Sequence, residues 1–93
     1  MLRVFAIRDD KAEAYMQPFC TQTRGQAIRM FTDSVNAQDG QQRSVISDHP
    51  EDFGLFELGT YNEANGVILT FQEGPQFIVK AIDVDVNRPH GVN

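Results

Sequence analysis

The chain has 93 residues, 41% of them hydrophobic, a formal charge of −5 and one cysteine. This length suits one compact domain spanning residues 1–93, which buries roughly 60–65% of its unfolded surface and leaves no material for a second domain. No run approaches the roughly 18 apolar residues of a bilayer span, the start MLRVFAIRDD lacks a secretion signal, and the lone Cys20 excludes an internal disulfide, so a soluble intracellular protein is expected.

In chain order, residues 2–8 (LRVFAIR) are β-prone and apolar toward both pleat faces, as suits an inner strand. DDKAE is a turn. Residues 14–20 (AYMQPFC) resume extended character, but Pro18 donates no backbone hydrogen bond, so this segment is expected at a sheet edge, paired with the first strand in a wide hairpin. A helix is predicted over residues 24–38, capped by Thr21 or Thr23, with Ala27, Ile28, Phe31 and Val35 on its apolar face, an Arg29–Asp33 pair outside and Gly40 at its C-terminal cap. Residues 39–48 carry no periodic signal and read as a polar mobile loop. Pro50, Glu51 and Asp52 mark a turn. A strand over 53–61 follows, reversed by Asn65-Gly66 through positive φ angles into a strand over 67–72 with Val67, Leu69 and Phe71 inward. After Gly74-Pro75, QFIVKAIDV predicts one more strand, with Phe77, Val79 and Ala81 alternating against Ile78, Lys80 and Ile82, and residues 85–93 read as a frayed tail. The sum is an α+β domain, an antiparallel sheet of four or five strands with one amphipathic helix on one face. Phe5, Ile7, Leu55, Ile78 or their pleat partners are too many to leave in water on the other face, so a homodimer is expected.

Charge divides along the chain. Residues 1–47 carry six cations against five carboxylates, net +1, and residues 48–93 carry two against eight, net −6. A face for a polyanion therefore belongs to the first half. There, basic and aromatic residues interleave (Arg3, Phe5, Arg8, Lys11, Tyr15, Phe19, Arg24), the composition that holds single-stranded nucleic acid by phosphate neutralisation and base stacking. The competing reading, favoured by the interspersed Asp9, Asp10 and Glu13, makes Phe5 and Phe19 core and the cations surface solvation.

Chemistry of other kinds is poorly represented. Asp48, His49, Glu51 and Asp52 are metal-ligand types, but without the spacing of a calcium loop they read as turn residues. Glu57 and His49 form a carboxylate–histidine set that nothing in the sequence positions, and there is no nucleophile motif or phosphate-cradling glycine loop. A non-catalytic protein is expected, with no cofactor, no metal and no small-molecule substrate.

Taken in order, FAIRDDKAEAYMQPF, TRGQAIRMFTDSVN and HPEDFGLFELGTYNEANG resemble the small nonstructural protein of gokushovirus-type microviruses, phages with small circular single-stranded DNA genomes; the likeness covers roughly residues 4–72. The resemblance implies a phage protein of the bacterial host cytoplasm, absent from the mature virion, that binds DNA during single-stranded genome synthesis or packaging. It supplies no catalytic motif. The resulting expectation is a protein that binds single-stranded DNA, or the viral replication complex carrying it, through Arg3, Arg8, Lys11, Arg24, Arg29 and Arg43 on phosphates and Tyr15 on a base. The alternative is an adaptor whose acidic second half recruits a replication initiator or host factor without touching DNA.

Overall fold

The computed structural model describes residues 1–37 and 45–86. The order is β1 (Leu2–Asp9), β2 (Ala14–Tyr15), β3 (Phe19–Thr21), α1 (Arg24–Val35), α2 (Val45–Asp48), a 3-10 turn at Pro50–Asp52, β4 (Phe53–Tyr61), β5 (Ile68–Thr70), β6 (Gln76–Lys80) and α3 (Ala81–Val84). The class is α+β, with six strands in one antiparallel sheet. β1 and β4 form its centre, paired from Leu2↔Tyr61 to Asp9↔Phe53. β2 and β3 share the outer edge of β1, and β5 and β6 share the outer edge of β4. Pro18 is what divides β2 from β3, as its missing donor requires.

The core lies on one face. Phe5, Phe53 and Leu55 point from the sheet into Ala27, Phe31 and Val35 of α1, Ile46 of α2 and Ala81 of α3. Thr23 caps α1, its hydroxyl accepting from the Gln26 N–H while the Gln26 side chain accepts from the Thr23 N–H. Asn36 ends the helix earlier than the predicted residue 38, because its side-chain amide donates to Thr32 O and Val84 O and its Oδ1 accepts from Val86 N–H. The first residues of the expected tail are thereby tied to the helix; the rest of the tail, and Gly40, lie outside the described residues. Arg29 and Asp33 form no ion pair with each other.

Four further expectations are corrected. The end of the supposed loop is a helical turn, since Ile46 is buried in the core. The last strand stops at Lys80, and Ala81 begins α3, which brings Ala81 and Val84 under the helix layer. The strand after Asn65-Gly66 is shorter than residues 67–72, and Val67 and Leu69 are exposed rather than inward. Only Gly66 in that reversal has a positive φ, +77°. The turn is closed instead by Gly66 N–H donating to Asn62 O and by Asn62 and Asn65 side chains accepting from Ala64 and Val67 N–H.

Candidate nucleic-acid interface

Side chains alternate along a strand, so the residues of β1 and β4 that do not enter the core face the other way. Register makes this face specific. Ala6 lies opposite Phe56, Phe56 opposite Phe77, Arg8 opposite both Gly54 and Tyr15, and Gly54 opposite Lys80. Among the described residues, helices cover only the opposite face, and the result here is a row of rings. Tyr15 meets Phe56 edge-on at 5.5 Å between centroids, and Phe56 meets Phe77 edge-on at 5.6 Å. The row crosses β1 because Ala6 is small enough for the Tyr15 and Phe56 rings to meet above it. At Gly54 an added Cβ would sit 3.5 Å from Phe56, 3.6 Å from Phe77 and 3.7 Å from Lys80, ordinary contact distances that place this residue directly beneath them. Tyr15 and Phe77 keep 41% and 54% of their surface exposed.

Two cations frame the row. The Arg8 guanidinium lies 5.4 Å from the Tyr15 ring centroid, and its Nε donates to Asp10 Oδ1 at 3.2 Å. Lys80 Nζ donates to Asp10 Oδ2 at 3.0 Å. The hydrogen bond from Lys80 outweighs burial and, with help from Arg8, holds the Asp10 carboxyl below its ordinary range. One carboxylate thus fixes two cations beside the rings and leaves a net positive charge there.

The seven residues named from the sequence do not gather on one face. Arg8 and Tyr15 stand together on the open face. Arg3, an odd position of β1, points to the other side with Phe5, where its Nε donates to Glu57 Oε2 at 2.8 Å. Arg24 joins it there, donating from Nε and Nη2 to Glu57 Oε1 at 3.1 and 2.8 Å. Glu57 is 1% exposed; burial pushes its carboxyl up, but the hydrogen bonds from Arg3 and Arg24 overcome this and hold it below the ordinary range. Lys11 lines a shallow cleft with Asp9, His49, Glu51 and Asp52. There His49, Glu51 and Asp52 bring ligand-type atoms within 4.8 Å of one another, as exposed acids at a turn commonly do. Arg29 is exposed on α1, and Arg43 lies outside the described residues. Phe5 and Phe19 stack at 5.9 Å within and against the core, so they are not available to a base.

Phe56, Phe77 and Lys80 were missed as a set, and a bulge explains it. Leu55 pairs with Val79 but Phe56 with Phe77, so Ile78 is an extra residue on β6. The bulge lets Ile78 and Val79 both pack against the core while Phe77 and Lys80 share the open face. A strict period of two separates Phe77 from Lys80. The signal available in the sequence was the glycine and alanine, Gly54 and Ala6, at positions where a buried strand favours larger residues.

An α+β fold with one helix-covered face and one ring-bearing open face defines the class of protein. The chain matches a family model described as Phage ORF5 protein over residues 2–84. It belongs to that family and is a phage protein. No curated protein and no solved structure matches it. Among the described residues, no helix is long and apolar enough to cross a membrane.

Proposed function

We propose that the open sheet face binds single-stranded DNA, without catalysis, during synthesis or packaging of a viral single-stranded genome. The observation that supports this is the row Tyr15–Phe56–Phe77 with Arg8 and Lys80 at its margin. A sheet face bearing rings is a stacking platform that tolerates any base, and each stacked base contributes about 1–3 kcal/mol. Membership of a phage family supports the viral setting; the resemblance to gokushovirus-type microviruses supports the choice of DNA and a place in the host cytoplasm outside the mature virion.

The charge of −5 makes this a binder that relies on rings more than on ion release. With about two phosphates neutralised, by Arg8 and Lys80, log Kobs falls against log salt with a slope of about −1.4. Fluorescence anisotropy of a labelled oligothymidylate at about 50 mM salt measures both terms. Tyr15→Ala and Phe77→Ala are each expected to weaken binding by about 1–3 kcal/mol, or about 5- to 150-fold, whereas Arg29→Ala on the outer surface of α1 leaves it unchanged. A flat titration of the wild type, or equal affinity of both ring variants, removes the proposal.

One observation favours a second reading. Asp9, Glu51 and Asp52 share a cleft with a single cation, Lys11, a surface that attracts a basic protein such as a replication initiator. A flat oligonucleotide titration together with salt-sensitive capture of that initiator would select it.

A further inference from the structure

β5 carries a partner on one side only, β4. Val67 O accepts from Asn62 N–H and Phe71 N–H donates to Leu58 O, so the odd residues of this segment direct their backbone groups to β4. Ladder groups alternate in direction along an antiparallel strand. The N–H and C=O groups of Ile68 and Thr70 therefore face the bare edge. The edge is also apolar and uncharged: Val67, Ile68 and Leu69 are 45%, 58% and 62% exposed, and residues 64–72 (ANGVILTFQ) contain no ionisable side chain.

Edges of this kind are normally blocked by proline, charge or a covering element. The other edges here are blocked. Pro18 interrupts the β2–β3 side, and β6 is entered through Pro75 and ends in Lys80. β5 alone among the described strands has no such guard.

We infer that β5 is the dimerisation edge, occupied by β5 of a second copy of this chain in antiparallel pairing. Self-pairing is favoured because an antiparallel edge contact has a two-fold axis perpendicular to the sheet, so the strand is complementary to itself and the interface closes at two subunits. Centred on Leu69, the register sets Ile68 opposite Thr70 of the partner subunit. These are the residues whose backbone groups point outward, so each pair exchanges hydrogen bonds in both directions. No like charges are brought together along the contact. A homodimer expected from a bare sheet face thus moves to a sheet edge. The perpendicular axis keeps both ring-bearing faces on the same side of the joined sheet, although the contact itself does not depend on DNA.

Light scattering behind size exclusion, with the full chain and no nucleic acid at about 100 µM, tests the edge. The wild type is expected at twice the 10.5 kDa of one chain. Thr70→Pro removes an outward N–H and leaves the β4 ladder intact, and is expected to run as a monomer with an unchanged circular dichroism spectrum. Leu69→Lys and Leu69→Glu place like charges face to face across the axis, so each alone is expected to be monomeric and their mixture to restore the dimer. This charge pair decides the matter if the proline variant does not fold. A wild type that stays monomeric at this concentration overturns the inference, as do Leu69→Lys and Leu69→Glu variants that each remain dimeric.

Discussion

Glu57 is the residue whose chemistry is most tightly determined by its surroundings. A carboxylate at 1% exposure carries a desolvation penalty, and three hydrogen bonds from Arg3 and Arg24 offset it. Both arginines stay half-exposed and can rehydrate, so Glu57→Gln is expected to cost about 1–3 kcal/mol in denaturant unfolding rather than the larger loss of a fully enclosed pair. The pH dependence follows in sign. The folded pKa lies below the ordinary 4.5, so the contribution is present above that value and is lost as pH falls through the folded one. Wild-type stability should fall below about pH 4.5, and Glu57→Gln should flatten that limb in urea titrations at successive pH values; an unchanged limb assigns acid sensitivity to other carboxylates. Gly59 is fixed by sterics instead. A Cβ there would lie 1.9 Å from Leu69 O and 2.8 Å from Thr70 Cα, both backbone atoms that the β4–β5 pairing holds in place. Gly59→Ala should destabilise by about 1–3 kcal/mol and open this hairpin first, read as a larger increase in amide exchange over the wild type at Val67, Leu69 and Phe71 than in β1. Exchange at these three amides unchanged from the wild type would show that the pairing adjusts.

At the scale of elements, local signals were legible and long-range ones were not. Thr21 or Thr23 marked the start of α1, of which Thr23 is the cap, Ala27, Phe31 and Val35 marked its buried face, and β4 runs from Phe53 to Tyr61 as its composition indicates. These features depend on neighbours in sequence. β5 did not follow its pattern, because alternation in VILTF signals burial only if a layer covers the strand, and among the described residues its three side chains are all exposed. The QFIVKAIDV segment changes from strand to helix at Ala81, which is buried in the core with Ala27, Phe31 and Val35 of α1, a long-range contact that strand periodicity does not encode. Bulges at Leu58, where β1 shifts from Gly59 to Glu57, and at Ile78 reassign side chains to faces, and single-sequence periodicity contains no mark of either.

The same limit governs the candidate site at the scale of the molecule. Arg3 and Arg8 are five positions apart on one strand and therefore face opposite ways, so a list of cations in the first half of the chain joins separate places. Arg8 and Tyr15 were readable as candidates. Phe56, Phe77 and Lys80 joined them only when β4 and β6 were paired in their actual register. The acidic second half does not simply oppose a polyanion, because Lys80 belongs to the ring face and Glu57 is enclosed by arginines. What remains is a phage-family domain with a helix layer behind it, a bare apolar edge at β5, and a ring-bearing face with Arg8 and Lys80 at its margin.

The most direct measurement is a map of backbone amide shifts in the isotope-labelled protein as oligothymidylate is added. The largest changes are expected at Ala6, Arg8, Tyr15, Gly54, Phe56 and Phe77, with α1 unmoved. Changes concentrated on α1 or around His49 and Glu51, or none at saturating oligonucleotide, would contradict a DNA-binding role for the open face.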